Sequence, residues 1–155
     1  MQPVKIDNGR YRKFGFKLPN GLIHIGHDFD CPIYTEVMAV SDGEIIFSGQ
    51  VSGFGSLNPR MPGGVIVIRH INKYGNSFVA LYGHVISGDI SVHSGDIVKK
   101  GQQIAKVGSF KNGNAFLPHL HFCIQEGDIL PAGKWGYVKE TGKWRSPLEY
   151  LEKYC

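Results

Sequence analysis

The sequence predicts a mainly β protein built from antiparallel sheets. The chain of 155 residues contains 21 glycines and 8 prolines, and these turn-forming residues separate short apolar runs along its length. The runs are rich in β-branched and aromatic side chains, which favour strands, whereas helical patterns are scarce. A chain of this length can bury one hydrophobic core, so residues 1–155 are predicted to form a single domain.

Two segments of the N-terminal half predict hairpins. Residues 36–47, EVMAVSDGEIIF, predict a strand, an Asp-Gly turn and a second strand, because this dipeptide accepts the positive φ angles of a tight hairpin turn. A loop, FGSLNPRMPGG, follows over 54–64. The runs GVIVIRHI (64–71) and SFVALYGHVI (77–86) are joined by NKYGN and predict a second hairpin.

The C-terminal half predicts shorter strands and one helix. In SVHSGDIVKKGQQIAKVGS (91–109), Ser-Gly-Asp and Lys-Gly turns separate short strands, and LPHLHFCIQ (117–125) predicts a strand after a proline. The segment PAGKWGYVKETGKW (131–144) predicts a hairpin or an extended loop. In SPLEYLEKY, we expect Ser146 to cap a short helix that begins at Pro147.

Composition excludes some classes of protein and leaves others open. The sequence has no apolar run of 18 residues, so no integral membrane segment is expected. Its 17 Lys and Arg against 13 Asp and Glu give a net charge of +4, which suits nucleic acid or an acidic cell-wall polymer. No dense basic patch with interleaved aromatic residues is visible, so we expect no nucleic-acid partner. The first 16 residues contain no apolar core of signal-peptide length, which predicts a cytoplasmic product, a protein released by lysis or a trimmed mature fragment.

The histidines form two patterns that suit a metal site. Side chains two or four residues apart share a face of a strand, so His119 and His121 in HLH point together, as do His24 and Asp28 in HIGHD, with Gly26 between them. Two histidines and one aspartate match the three protein ligands of a catalytic zinc site that keeps a position for water. This nitrogen-rich set suits Zn²⁺ better than Ca²⁺ or Mg²⁺.

The sequence gives weaker evidence that the other histidines belong to the metal site. His84, in LYGHV near the end of a predicted strand, adds a third element to the pattern. His27 is out of phase with His24 and is expected to face away from the metal, with a gating or substrate contact as the alternative. His70 and His93 match no pattern and are expected to be surface or hydrogen-bonded strand residues.

Four further side chains have ordinary structural interpretations. Asp30 is expected to serve a turn near Pro32. Tyr82 is expected either to line the cleft beside His84 or to pack in the core. Cys31 and Cys123 are predicted to be structural thiols out of phase with the metal set, and with Cys155 they are too few and scattered for a disulfide framework.

The motifs HIGHD, LYGHV and LPHLHF, in this order, resemble those of the lysostaphin-type, or LytM-type, zinc endopeptidases, which cut peptidoglycan cross-bridges and stem peptides. The resemblance runs from about Phe14 to Phe122 and extends to SPLEYL. It implies a duplicated-hybrid, barrel-sandwich-like β fold with long loops around a cleft and a short C-terminal helix. The peptidase core would span about 14–125, with a C-terminal extension over 126–155.

The resemblance also implies a role for each motif residue. His24, Asp28 and His121 would bind one Zn²⁺, and His84 and His119 would be the catalytic histidines, one acting as base and the other stabilising the oxyanion or protonating the leaving amine. The sequence departs from the family pattern at three positions, which puts substrate contacts and outer contacts of the metal site in question. Cys123 stands where the family usually has Glu, Leu117 where it often has Gly, and His27 where it usually has an aliphatic residue.

The resulting prediction is a zinc-dependent endopeptidase, expected to be monomeric, that hydrolyses peptide bonds of peptidoglycan in the cell envelope or outside the cell. A phage or plasmid lysin and a mature fragment of an exported enzyme both fit.

The main alternative is a non-catalytic cell-wall binding or regulatory module of the same fold, although such proteins typically lack one of the five motif residues. A biotinyl or lipoyl carrier, suggested by GDIVKKGQQIAKVG (95–108), is a weaker alternative because no lysine is framed by a tight hairpin. Glycine bridges and D-amino-acid cross-links remain equally open as substrates.

Overall fold

The computed structural model describes residues 1–54, 63–112, 115–130 and 135–155, with the side chains of all of these except 110–112, 115 and 116. Within these ranges, short strands dominate. In chain order they are β1 (Ile23–His24), β2 (Gly26–Phe29), β3 (Glu36–Met38), β4 (Gly43–Val51), β5 (Gly63–Ile71), β6 (Ser77–Val85), β7 (Ile97–Val98), β8 (Gln103–Lys106), β9 (Ser109–Asn112), β10 (Ala115–Pro118), β11 (Leu120–Glu126), β12 (Tyr137–Val138) and β13 (Trp144–Arg145). A 3₁₀ turn covers Ser87–Asp89, and helix α1 covers Pro147–Tyr154.

One antiparallel sheet forms the centre of the fold, in the strand order β13, β11, β6, β5, β4, β7. Strand β2 also joins this sheet, because it pairs with the first half of β11 while β13 pairs with the second half. Smaller two-stranded sheets join β1 to β12, β3 to β8 and β9 to β10. The mainly β, antiparallel fold class with a short C-terminal helix is therefore confirmed.

Both faces of the central sheet are buried, and alternate side chains divide between them. Ile66, Ile68 and Tyr82 belong to one apolar cluster, which α1 covers with Tyr150 and Leu151. The opposite face carries a second cluster, made of Ile25, Val65, Val67, Val79, Leu81, Cys123 and Trp144. Because His121 lies two residues before Cys123 on β11, it projects to this second face.

The hairpin predicted around NKYGN is confirmed. Strands β5 and β6 are antiparallel neighbours, and Ile71 pairs with Ser77 at the end next to the turn. The side-chain oxygen of Asn72 accepts hydrogen bonds from the backbone N–H groups of Tyr74 and Asn76, each at 3.0 Å. Gly75 adopts a φ of 81° in this turn, a conformation that glycine reaches without steric cost.

The predicted Asp-Gly hairpin is wrong, because β3 pairs with β8 whereas β4 pairs with β5 and β7. Asp42 binds Lys99 and Lys100 instead of closing a two-residue turn. Gly43 is the first residue of β4, where an added Cβ would come within 2.6 Å of the Arg69 carbonyl oxygen. The glycine therefore permits close packing of two strands rather than a turn.

The C-terminal segment differs in part from its prediction. Over the described residues 135–144, β12 and β13 do not form the predicted hairpin, because β12 pairs with β1 and β13 pairs with β11. Helix α1 begins at Pro147 as expected, but the Ser146 side chain makes no capping hydrogen bond. Residues 55–62 of the predicted loop and 131–134 of the predicted hairpin lie outside the described residues. Within the described ranges, no helix has the length and apolar character needed to cross a bilayer.

Candidate active site

Three side chains from distant parts of the sequence converge beside the central sheet. His24 ends β1, and Asp28 on β2 lies directly opposite His121 on β11. Nδ1 of His121 is 2.7 Å from Oδ1 of Asp28, and Nε2 of His24 is 3.2 Å from the same oxygen. The three candidate ligand atoms lie within 4.8 Å of one another, and all three residues are buried.

Backbone carbonyl groups hold both imidazole rings in this orientation. Nδ1 of His24 donates to the Lys13 carbonyl oxygen at 3.1 Å, and Nε2 of His121 donates to the Trp135 carbonyl oxygen at 2.9 Å. A carbonyl oxygen can only accept, so the proton of each neutral ring is on its outer nitrogen. The inner nitrogens, which face Asp28, are thereby left unprotonated, each with a free lone pair. Hydrogen bonds from the outer nitrogen to a carbonyl group orient metal-binding histidines in the same way.

Gly26 gives His121 the space it needs. A Cβ on this residue would lie 2.7 Å from Cε1 of His121 and 2.8 Å from the Phe122 carbonyl oxygen. Close approach of β2 to β11 therefore requires glycine here.

Cys123 lies behind the His121 ring. Its Sγ is 3.2 Å from Nε2 of His121, the nitrogen that faces away from Asp28. The sequence prediction that Cys123 is out of phase with the metal set is wrong, since His121 and Cys123 share one face of β11. Cys31 and Cys123 are both buried free thiols, as expected, and burial raises the pKa of Cys31 to about 12.

Charge at the cluster favours an ionised aspartate. Burial by itself would raise the pKa of Asp28, but the His121 and His24 rings, in their protonated forms, would donate hydrogen bonds and positive charge to the carboxylate and hold its pKa well below the usual range. For His121, burial opposes the charged form, whereas the neighbouring Cys123 and the Asp28 carboxylate raise its pKa. The Asp28 carboxylate therefore favours a positive charge, either a proton or a cation, among these three side chains.

Two more histidines face the same cleft. His84, on β6 with a φ of 59°, donates from Nδ1 to the Phe54 carbonyl oxygen, and His119 donates from Nδ1 to the Leu117 carbonyl oxygen at 2.7 Å. Their ring centroids are 4.4 Å apart, and that of His84 is 6.2 Å from that of His121. Burial is the main cause that lowers the pKa of both His84 and His119, so each ring is neutral near pH 7 with its lone pair on Nε2.

These groups line a cleft of about 460 Å³. The described residues that line it are Arg10, Tyr11, Arg12, His24, Asp28, Ser52, Gly53, Phe54, His84, Leu117, His119, His121, Gly136 and Tyr137. All five residues singled out from the motifs are therefore brought together, with apolar and aromatic walls around them.

A model of peptidase family M23 matches residues 22–132. The chain belongs to this family. The M23 match includes all five motif residues and confirms the resemblance to lysostaphin-type enzymes. The solved catalytic domain of the antimicrobial peptidase lysostaphin from Staphylococcus simulans is similar in fold, with a TM-score of 0.64 and 29% identity, covering 92% of this chain and 91% of that domain.

Two curated proteins are also similar to this M23 chain. The murein hydrolase activator EnvC of Escherichia coli K12 is 34% identical over 102 residues, and the peptidoglycan DD-endopeptidase ShyB of Vibrio cholerae serotype O1 is 33% identical over 101 residues. Each alignment covers 65% of this chain and 20% of the relative. The chain thus spans about a fifth of the length of these relatives.

Neighbours of the M23 motifs have structural roles. His27 faces away from the cluster, as expected, and its Nε2 is 2.7 Å from Oδ2 of Asp7. Asp30 does not serve a turn near Pro32: its buried carboxylate receives two hydrogen bonds from the Arg10 side chain, at 2.5 and 2.8 Å. Residues Asp7 and Arg10 thereby fasten the N-terminal segment against β2.

His70 and Tyr82 form a buried pair away from the cleft. Nε2 of His70 is 3.0 Å from the Tyr82 hydroxyl, and Nδ1 donates to the Asp42 carbonyl oxygen at 3.1 Å. Of the two expectations for Tyr82, packing in the core is confirmed. His93 is exposed, as the sequence indicates.

Sequence reasoning missed the wall formed by residues 10–12 and Tyr137. The Tyr11 ring lies 5.2 Å from that of His119, and the Arg12 side chain donates to the Tyr137 hydroxyl. The alternation Arg-Tyr-Arg in RYR was a usable signal, because basic and aromatic side chains together often contact ligands. Nothing in the local sequence, however, indicated that this segment lies beside HIGHD.

Proposed function

We propose that this chain is a zinc-dependent endopeptidase that hydrolyses peptide bonds of peptidoglycan. The observation that carries the proposal is the convergence of His24, Asp28 and His121 in a cleft that also holds His84 and His119. The name of ShyB, a peptidoglycan DD-endopeptidase, supports the substrate class. The proposed site of action is the cell envelope or the outside of the cell, with the chain acting as a monomer.

The donor set fits zinc. Two imidazole nitrogens and one carboxylate oxygen are ligands that Zn²⁺ accepts, and three protein ligands leave a coordination position for water or substrate. The rings are already oriented by the Lys13 and Trp135 carbonyl oxygens, so little rearrangement would be needed to bind the ion. His24, Asp28 and His121 would hold the ion, which when bound would polarise the scissile carbonyl and lower the pKa of a water molecule.

His84 and His119 would transfer the protons of the hydrolysis reaction. Each is neutral near pH 7 and has its Nδ1 proton committed to a carbonyl group, so Nε2 of either ring can accept a proton from the attacking water. Once protonated, that Nε2 becomes a donor to the developing oxyanion or to the leaving amine. Because the rings are 4.4 Å apart, two positive charges would repel, and the pair would carry one extra proton at a time.

A regulatory module is the second candidate, since the similar protein EnvC is named as a murein hydrolase activator. The presence of all five motif residues around one cleft favours the peptidase. In the regulatory case the zinc-loaded chain would bind peptidoglycan and stimulate a separate hydrolase without releasing new amino groups itself.

The test is digestion of purified peptidoglycan by the zinc-loaded chain, measured as new free amino groups and as muropeptides resolved by mass. Activity is expected with zinc and should disappear in a chelated sample and return when zinc is restored. Full activity in the chelated sample would exclude the zinc mechanism, and zinc binding without cleavage would favour the regulatory candidate.

A further inference from the structure

The N-terminal segment over 10–12 forms one wall of the cleft at a fixed position relative to the proposed metal ligands. The Arg12 carbonyl oxygen accepts a hydrogen bond from the backbone N–H of Asp28 at 2.8 Å. Two residues earlier, Arg10 is tied to the buried Asp30. The segment is therefore attached to β2 at Asp28 and to the chain just after β2 at Asp30.

The two arginines of this wall differ in how their charges are balanced. The Arg10 guanidinium is paired with the Asp30 carboxylate. Arg12 donates to the neutral hydroxyl of Tyr137, and its Cζ lies 5.2 Å from the centroid of the Phe16 ring and 5.6 Å from that of Tyr137. Among the described residues, arginine–carboxylate ion pairs are made by Arg10, Arg69 and Arg145 and not by Arg12.

Arg12 lies close to the place where a substrate peptide would be cut. The Tyr137 ring neighbours both Arg12 and the proposed metal ligand His24, with its centroid 5.2 Å from that of His24. The guanidinium is thus separated from His24 by no more than about three residues of extended peptide. It is exposed, lines the cleft and is held in place by two aromatic rings, which reduces the side-chain entropy lost on binding a ligand.

We infer that Arg12 binds a free carboxylate of the substrate peptide close to the scissile bond. A planar guanidinium can bind a carboxylate through two parallel hydrogen bonds, which gives both affinity and orientation. This inference rests on the proposed function and names its substrate class: stem-peptide cross-links that carry a free carboxylate beside the cleaved amide. Glycine bridges offer no such group at this position and would be poorer substrates.

The decisive comparison uses two cross-linked stem peptides that differ only in whether the carboxyl group beside the cross-link is free or amidated. The zinc-loaded chain should cleave the free form with a kcat/KM about 10- to 100-fold higher, the size of effect typical of a charged hydrogen bond. A pentaglycine peptide should be cleaved no better than the amidated form.

Variants of Arg12 assign this preference to its side chain. Arg12→Gln should abolish the preference, because KM should rise much more for the free form than for the amidated form. Arg12→Lys keeps the charge but loses the planar fork, so an intermediate preference is expected. Arg69→Gln is the matched control, because Arg69 pairs with Glu44 on the central sheet outside the cleft and its loss should leave the preference unchanged.

The outcomes separate this inference from the proposed function. Equal cleavage of both peptides by the unmodified chain, or an equal loss on both in Arg12→Gln at normal zinc content and circular dichroism, overturns the inference and leaves the endopeptidase intact. If no peptide is cleaved, the proposed function fails. Calorimetric titration of the same two peptides into the unmodified chain and Arg12→Gln then tests the inference, which requires tighter binding of the free form that is lost in the variant.

Discussion

Nε2 of His24 lies 3.1 Å from Nδ1 of His121, although 97 residues separate the two histidines in the chain. Both outer ring nitrogens donate to backbone carbonyl groups, so in neutral rings the two inner lone pairs point toward each other and toward the Asp28 carboxylate. Such an arrangement is unfavourable unless a proton or a cation lies among the three groups. The geometry is therefore that of a site which binds a positive charge.

Removal of the proposed zinc ion should lower stability as well as activity. A ligand that binds only the folded state stabilises it by about 2.7 kcal/mol at a free concentration 100 times its Kd. We expect chelation to lower the Tm, and His121→Ala to reduce zinc from one ion per chain to almost none. Elemental analysis and thermal unfolding measure both effects. His93→Ala, at an exposed position, should retain the zinc, and full zinc content in His121→Ala would contradict the ligand assignment.

Loss of either proposed catalytic histidine should leave zinc binding intact. His119→Ala and His84→Asn should each lower kcat by about a hundred- to ten-thousand-fold, because proton transfer loses its base or its donor. Asparagine is chosen at position 84 because it tolerates the left-handed backbone of that residue. Zinc content and circular dichroism should match the unmodified chain. A variant with normal zinc and normal kcat would remove that histidine from the mechanism.

Local alternation in the sequence predicted most of the candidate site. Residues two and four apart share a strand face, which was sufficient to pair His119 with His121 and His24 with Asp28. The pairing of β2 with β11 could not be derived this way, because it depends on which strand edges meet in the folded chain. The resemblance to known peptidases implied that His24, Asp28 and His121 act together, but not which strands pair.

Two wrong predictions, the Asp-Gly hairpin and the turn role of Asp30, have the same origin. Asp42–Gly43 has the composition of a hairpin turn, but its flanking strands pair with β5, β7 and β8 instead of with each other. Asp30 looked like a turn residue because its partner Arg10 lies 20 positions earlier in the chain. In both cases a long-range contact outweighed a local preference.

Gly26→Ala should disturb the cluster without removing any proposed ligand. The added Cβ would meet the His121 ring and the Phe122 carbonyl oxygen below normal contact distance, so β2 or the ring must move. We expect a loss of about 1–3 kcal/mol in the free energy of unfolding, as for other overpacked sites, and weaker zinc binding. Gly88→Ala is the control, because a Cβ there meets nothing within 4 Å. Equal zinc affinities and stabilities for the two variants would contradict this role of Gly26.

His70 should make stability depend on pH. Its ring is buried with Nε2 beside the Tyr82 hydroxyl, and burial lowers its pKa from 6.5 to about 4. Between these values the unfolded chain binds a proton that the folded chain does not, so this contribution to stability is complete above pH 6.5 and is lost as the pH falls toward 4. The full change corresponds to about 3 kcal/mol.

The test of the His70 effect compares the unmodified chain with His70→Gln by denaturant unfolding from pH 7 to pH 4, with chelator present so that zinc binding does not contribute. His70→Gln removes the titrating group, so the stability advantage of the unmodified chain over the variant should shrink by up to about 3 kcal/mol as the pH falls. His93→Gln, at an exposed position, should follow the unmodified chain at every pH. A stability difference between the unmodified chain and His70→Gln that stays constant with pH would show that His70 titrates alike in the folded and unfolded states.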